Sequence, residues 1–178
     1  WTSWGDKGDL MSTLGLAVAY LLALGLTPLA IHLAVRWNVV DRPGIRKIHT
    51  LPTPLLGGAA LFAAIAGTLL LLFGATREVL GLLLGGALFL ALGLVDDLRD
   101  LGAGKLLAEF VVAWLVVTVM GTAFHLSWPF AGTFLTVLWI VGVANAFNCL
   151  DCADGAAPAA GGAAGVAFLA IALIANQP

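Results

Sequence analysis

The chain has 178 residues, of which 61% are hydrophobic and only 10% charged, and its formal net charge at pH 7 is -2. Its mean hydropathy of +1.06 lies far above that of a soluble domain, which excludes water as its main solvent. No run of lysine and arginine of the kind that binds a nucleic-acid backbone is present, so nucleic acid is not expected as a partner.

Six apolar stretches follow one another along the chain, each about long enough to cross a bilayer. They cover residues 14–35, 55–75, 79–95, 106–124, 130–147 and 156–175. Arg77 and Glu78 are predicted to form the polar turn between the second and third stretches. The pattern predicts an all-α, polytopic membrane protein with about six transmembrane helices, organised as one domain over residues 1–178.

Three polar segments interrupt the apolar stretches: residues 41–58 (DRPGIRKIHTLPTPLLGG), 96–105 (DDLRDLGAGK) and 145–155 (NAFNCLDCADG). Two predicted crossings separate the first segment from the second, and two more separate the second from the third. All three segments are therefore expected on one membrane face. Six of the eight basic side chains lie on that face: Arg36, Arg42, Arg46, Lys47, Arg99 and Lys105. The positive-inside rule then places the polar segments at the cytoplasmic face of the inner membrane.

The second polar segment begins with two adjacent carboxylates, Asp96 and Asp97, where the third predicted helix ends. Carboxylates at the edge of the hydrocarbon are costly unless they meet cations, and Mg²⁺ prefers oxygen ligands. One aspartate is predicted to bind the ion and the other to act as a base or to orient a phosphate. The alternative is a solvated helix end that Arg99 neutralises.

The third polar segment carries four polar side chains at intervals of three residues: Asn145, Asn148, Asp151 and Asp154. If the helix continues through the segment, this spacing brings them to roughly one face, where they line a polar cleft. The alternative is an Asn/Asp/Gly turn between two helices, since these residue types also favour turns.

The first polar segment combines bases with a proline-stiffened stretch. The bases are Arg42, Arg46, Lys47 and His49, and the stretch is Pro52, Thr53 and Pro54. A topology signal or an anionic-lipid patch explains the charge but not the prolines. A stiff loop with several bases is suited to binding phosphates. Together the segments offer carboxylates for a metal and cations for phosphates, which favours phosphoryl transfer between a diphosphate and a lipid phosphate.

In order and spacing, these three segments resemble the N-terminal signatures of the polyprenyl-phosphate N-acetylhexosamine-1-phosphate transferases, glycosyltransferase family 4. The resemblance runs from about residue 14 onward and corresponds to the N-terminal half of such an enzyme. The stretch LPTPLLGG at residues 51–58 is similar to that of the branch that transfers N-acetylglucosamine-1-phosphate or related sugar phosphates. The resemblance implies transfer of a sugar-1-phosphate from a UDP-sugar to undecaprenyl phosphate, with release of UMP, in cell-envelope polysaccharide synthesis.

The resemblance also implies a set of site residues and a metal cofactor, Mg²⁺, with Mn²⁺ as the alternative ion. The implied catalytic residues are Asp96 and Asp97. The implied substrate-binding residues are Lys47, His49, Lys105 and Asp151, to which the pattern of the polar segments adds Arg46, Asn145 and Asn148. The implied metal ligands are Asp97, Asp151 and Asp154. The expected partners are a UDP-sugar, a polyprenyl phosphate and membrane lipid, with a homodimer or a membrane complex left open.

A non-enzymatic alternative remains open at this point. Cys152 and Ala156 stand where the third signature usually has Gly and Leu, and the chain ends at Pro178, before the family's later metal motif. These departures favour a catalytically inactive, transferase-derived subunit of a larger membrane complex. Glu109 is predicted to lie in the first turn of the fourth helix, where an acid favours the helix dipole, and is left outside the site.

Overall fold

A computed structural model describes residues 3–41, 51–99, 101–121, 123–124, 126, 128–151 and 155–174. Within these ranges the chain forms six helices: α1 (Ser3–Arg36), α2 (Gly57–Phe73), α3 (Arg77–Arg99), α4 (Ala103–Met120), α5 (Pro129–Leu150) and α6 (Ala156–Ile174). Two short strands, β1 (Val40–Asp41) and β2 (Thr53–Pro54), pair antiparallel between α1 and α2. The all-α prediction is confirmed.

Four helices within the described ranges are long and apolar enough to cross a membrane. The crossing segments are Thr13–Arg36 within α1, Arg77–Arg99, Ala103–Met120, and Phe130–Leu150 within α5. The apolar helices Gly57–Phe73 and Ala156–Ile171 are shorter. At about 1.5 Å per residue, the first of these extends for roughly 26 Å, close to the thickness of a bilayer's hydrocarbon core.

Helices α1 and α2 pack closely because small side chains line their contact. Ala30 and Ala34 of α1 are buried, as are Ala60 and Ala64 of α2. Thr68, the buried polar residue of this contact, donates its hydroxyl proton to the Ala64 carbonyl oxygen at 2.8 Å. Small residues allow two helix backbones to approach in lipid, where burial from water no longer drives association.

A second apolar cluster joins α4 and α5. Its buried members are Ala113 and Val117 of α4 and Val137 and Val141 of α5, with Phe89 of α3 packed against them. Glycine also allows α3 to approach α4, since a Cβ at Gly85 would lie 3.1 Å from the Val116 side chain. Helix α4 therefore packs against both α3 and α5.

The outer faces of the helices are apolar. Phe130 is 87% exposed, and Leu16, Leu71, Trp139 and Phe168 are also exposed. A soluble protein rarely leaves so much contiguous apolar surface in water. These faces are suited to contact with lipid, in agreement with the predicted membrane location.

Two predicted boundaries differ from the structure. Arg77 and Glu78 are not a turn but the first residues of α3, because Thr76 accepts the Val79 backbone N–H at 3.3 Å in the manner of a capping residue. An acid at that end also interacts favourably with the helix dipole. At the other end, α3 continues through Asp96 and Asp97 to Arg99, so both aspartates lie on a helix rather than after it.

Candidate active site at one end of the helix bundle

The polar segments meet at a cavity of about 500 Å³ at one end of the bundle. The cavity lies between β2, the start of α2, the end of α3 and the end of α5. Its lining residues are Asp41, Thr53, Pro54, Leu55, Leu56, Gly57, Gly58, Ala59, Leu90, Gly93, Leu94, Asp97 and Asp151. One part of the wall is therefore acidic and the rest mainly apolar.

Three carboxylates from three parts of the chain face this cavity. Asp41 comes from β1, Asp97 from the last turn of α3, and Asp151 from the residue that follows α5. Asp97 interacts electrostatically with both of the others, as well as with Asp96 and Lys105. The expected convergence of the second and third polar segments is thus observed for Asp97 and Asp151.

The short sheet explains why Asp41 reaches the site. Val40 pairs with Pro54 and Asp41 with Thr53, and the Leu55 N–H donates to the Val39 carbonyl oxygen at 3.2 Å. This pairing holds the end of α1 against the start of α2. Asp41 was absent from the predicted site, although it opens the first polar segment.

Asp96 has different surroundings from its neighbour. One of its carboxylate oxygens lies 2.9 Å from Lys105 Nζ, and the other accepts the Leu101 backbone N–H at 3.0 Å. The turn between these partners requires Gly102, whose φ of 55° lies in the left-handed region that favours glycine. Asp96 therefore joins the end of α3 to the start of α4, and Lys105 is held by that contact.

Asn145 lies within α5, and its side chain is directed to α4. Its Nδ2 donates to Glu109 Oε2 and also to the Val141 carbonyl oxygen, the latter at 2.9 Å. Asn148 is exposed on the same helix. The helical alternative for this segment holds through Leu150, and the polar groups divide between the α4 contact, the exposed surface and the cavity.

Glu109, like Asp41, was not among the predicted site residues. It lies in the second turn of α4, not the first, because α4 begins at Ala103. It is 4% exposed, so its carboxyl does not serve the helix dipole at a solvated end. A single acid inside the apolar run LLAEFVVAW was the signal that could have identified it.

Four predicted site residues lie outside the described residues: Arg46, Lys47, His49 and Asp154. Within the ranges that the structure describes, no three His, Cys, Asp or Glu side chains are arranged to enclose a metal ion by themselves. Mg²⁺ in proteins often needs only one or two carboxylates, because it keeps several waters and takes further oxygens from substrate phosphates. The carboxylates of Asp97 and Asp151 on one cavity suit that ligand type.

Comparison with known proteins identifies relatives. The family model described as "Glycosyl transferase family 4" matches residues 79–178. The chain is 30% identical over 151 residues to a Bacillus subtilis (strain 168) protein named "Probable undecaprenyl-phosphate N-acetylglucosaminyl 1-phosphate transferase", covering 78% of this chain and 42% of the relative. It is 33% identical over 116 residues to the "Decaprenyl-phosphate N-acetylglucosaminephosphotransferase" of Mycolicibacterium smegmatis, covering 60% and 29%.

The protein of the same name from Mycobacterium tuberculosis (strain ATCC 25618 / H37Rv) is 31% identical over 138 residues, which cover 72% of this chain and 34% of the relative. The chain thus spans less than half the length of these curated relatives. No solved structure matches the chain significantly.

The family match covers more than half of the chain and includes Asp97, Lys105, Asn145 and Asp151. It therefore contains most of the described residues that form the acidic wall and the contacts behind it. The helical architecture and the apolar outer faces agree with a protein that crosses the membrane several times. The chain belongs to glycosyl transferase family 4 and is a multi-pass membrane protein.

Proposed function

We propose that the protein transfers a sugar-1-phosphate, in the first place N-acetylglucosamine-1-phosphate, from a UDP-sugar to undecaprenyl phosphate. The observation that carries the proposal is the meeting of Asp97 and Asp151 on one cavity at the end of an apolar bundle. Family membership and the names of the relatives support the same reaction class. The product would serve cell-envelope polysaccharide synthesis.

The reaction exchanges one phosphoanhydride bond for another. A phosphate oxygen of the lipid attacks the phosphorus that carries the sugar, the bond to the uridine-bearing phosphate breaks, and UMP leaves. The products are UMP and a lipid diphosphate that carries the sugar. Such transfer depends mainly on positioning and on neutralising charge.

The described residues fit an Mg²⁺ ion, which Asp97 and Asp151 would hold together with substrate oxygens. Bound there, the ion would neutralise charge on the diphosphate. The fit depends on the donor set: the described residues that line the cavity include three acids and no base. Asp97 interacts electrostatically with both of the other acids, and like charges repel one another unless a cation neutralises them.

Two features of the cavity wall suit the proposed lipid acceptor: its apolar side chains and the start of α2. Leu55, Leu90 and Leu94 provide apolar surface beside the carboxylates, as a lipid phosphate with a hydrocarbon tail requires. Helix α2 starts at the same wall without a side-chain cap, so its first backbone N–H groups can donate to a phosphate oxygen. In this arrangement Asp97 would bind the ion or would accept a proton from the attacking lipid phosphate, and Asp96 with Lys105 holds the end of α3 in place.

The test is a reconstituted assay with the complete gene product. We expect UMP to be released from UDP-N-acetylglucosamine only when both undecaprenyl phosphate and Mg²⁺ are present. Each UMP should be matched by one lipid-linked N-acetylglucosamine-1-phosphate, measured by chromatography and mass spectrometry. EDTA should stop the reaction, and excess Mg²⁺ should restore it.

Two results would contradict the proposal. UMP formed at the same rate without the lipid acceptor would indicate hydrolysis instead of transfer. Absence of turnover with all components present would favour the inactive-subunit alternative, more strongly if the protein co-purifies with other membrane subunits.

The cavity end of the bundle is proposed to face the cytoplasm. Arg36, Arg99 and Lys105 lie at this end, while Arg77 lies at the other end, where its guanidinium donates to the Val119 carbonyl oxygen at 3.5 Å. The distribution agrees with the positive-inside rule for an inner-membrane protein.

Cysteine labelling in intact cells tests this orientation. A cysteine at Ala75, exposed in the turn between α2 and α3, should react with a membrane-impermeant maleimide. A cysteine at Leu98, exposed near the cavity, should react only after the membrane is opened. The reverse pattern would refute the proposed orientation.

A further inference from the structure

Glu109 is a carboxyl group in the interior of the bundle that the proposed reaction does not use. It is 4% exposed and lies one turn from the buried Ala113 on the same face of α4. Among the described residues no lysine or arginine forms an ion pair with its carboxylate. The carboxylate accepts a hydrogen bond from the Asn145 amide. Ionisable groups at such depth are costly and usually have a function.

The position of Glu109 on α4 relates it to the site. Lys105 lies one turn before it on the same helix and contacts Asp96 of α3, while Glu109 itself contacts Asn145 of α5. The first two turns of α4 therefore contact the helices on either side through polar side chains. Asp97 lies in the last turn of α3 and Asp151 directly follows α5, and both line the cavity.

The hydrogen bond between Asn145 and Glu109 links α5 to α4 towards the cavity end of the bundle. The chain itself connects these two helices at the opposite end. Asn145 precedes Asp151 by six residues, about 9 Å along a helix. Both amide protons of Asn145 are engaged, one by Glu109 and one by the Val141 carbonyl, so the side chain has a defined orientation. A hydrogen bond in an apolar interior is retained because water cannot replace it.

We propose that Glu109 is a positioning residue: through Asn145 it fixes the end of α5, and with it Asp151, relative to Asp97. This inference rests on the proposed function, since it deepens the account of the same site. Glu109 itself does not touch the substrate or the ion. Its effect is on the distance between the Asp97 and Asp151 carboxylates. That distance decides whether the two carboxylates can bind the same cation.

The first test measures that separation without any catalysis. Spin labels are placed at Leu98 and Leu150, which are 55% and 39% exposed and adjoin Asp97 and Asp151, in a background without Cys149 and other reactive cysteines. The distance distribution between the labels should be narrow in the otherwise unchanged protein and in Glu109→Gln, whose amide oxygen still accepts the Asn145 proton. In Glu109→Leu it should broaden or shift.

Two further variants control this measurement. The double variant Glu109→Leu with Asn145→Leu removes both partners and leaves no unpaired polar group, so it should fold and still show the broadened distribution. Thr68→Val removes a buried hydroxyl whose hydrogen bond, within the part of the chain that the structure describes, is to its own helix, and it should leave the distribution unchanged. A narrow, unshifted distribution in Glu109→Leu would overturn the inference, and so would equal broadening in Glu109→Gln.

The second test uses the proposed reaction. Glu109→Leu should raise the Mg²⁺ concentration that gives half-maximal UMP release by about 10-fold, as supporting residues around metal ligands commonly do. Glu109→Gln should restore the unmodified value. If the unmodified protein releases no UMP, the proposed function fails while the distance measurement still decides the inference. If it releases UMP and Glu109→Leu has the same Mg²⁺ dependence, the inference fails and the function stands.

Discussion

Replacing Asp97 with Asn should lower the rate of UMP release by at least about 100-fold, the lower range of what a positioned acid or base contributes. The amide keeps the shape of the side chain but loses its negative charge and its ability to accept a proton. Of the two adjacent aspartates, Asp97 is the one that lines the cavity. Initial rates at saturating UDP-N-acetylglucosamine and Mg²⁺ provide the measurement.

The same variant should not lose stability. Asp41 and Asp151 share the cavity with Asp97, so removing one charge relieves repulsion in the metal-free protein. We expect the unfolding temperature in EDTA to be unchanged or higher. A matched control is Glu78→Gln, the same acid-to-amide change at the other, exposed end of α3, which should retain the full rate. A rate within twofold of the unmodified protein for Asp97→Asn would exclude the proposed role.

The membrane architecture was predictable because it depends on composition averaged over long stretches. All six predicted helices are present, and each overlaps its predicted range. The boundaries were less predictable, because capping interactions decide them. Thr76 starts α3 before the charged pair Arg77 and Glu78, although charge alone suggested a turn there.

The part of the site that depends on the number of membrane crossings could be predicted from the sequence. An even number of crossings between polar segments is enough to bring Asp97 and Asp151 to one end of the bundle, and the structure has them on one cavity. The roles assigned to these residues stay predictions until activity is measured.

Contacts between side chains on different helices could not be predicted in the same way. The rotation of α4 and α5 about their axes decides whether Glu109 faces lipid, solvent or Asn145. The hydrophobic pattern of an almost uniformly apolar helix does not define that rotation. Asp41 was missed for a related reason: the pairing of Val40 with Pro54 involves too few residues to give a strand pattern.

Replacing Gly132 with Ala should destabilise the bundle by about 1–3 kcal/mol, the usual cost of overpacking. Gly132 is buried in the first turns of α5, and a Cβ there would overlap the Phe124 carbonyl oxygen of the preceding connection. That oxygen belongs to the backbone, which cannot rotate away as a flexible side chain could. Thr136 holds the two segments together, because its hydroxyl accepts the Phe124 N–H and donates to the Gly132 carbonyl oxygen, both at 2.8 Å.

Gly142→Ala on the same helix is the matched control. A Cβ at Gly142 would meet nothing within 4 Å, and alanine is the better helix former, so this variant should be as stable as the unmodified protein or slightly more so. Thermal unfolding of the purified protein in detergent, followed by tryptophan fluorescence, compares the two variants. Since Gly132 lies near the end of the bundle opposite the acidic cavity, Gly132→Ala should lower the unfolding temperature while the rate at a permissive temperature stays close to normal. Equal unfolding temperatures for the two variants would show that the connection before α5 can move away from Gly132 at little cost, and that Thr136 does not hold it in place.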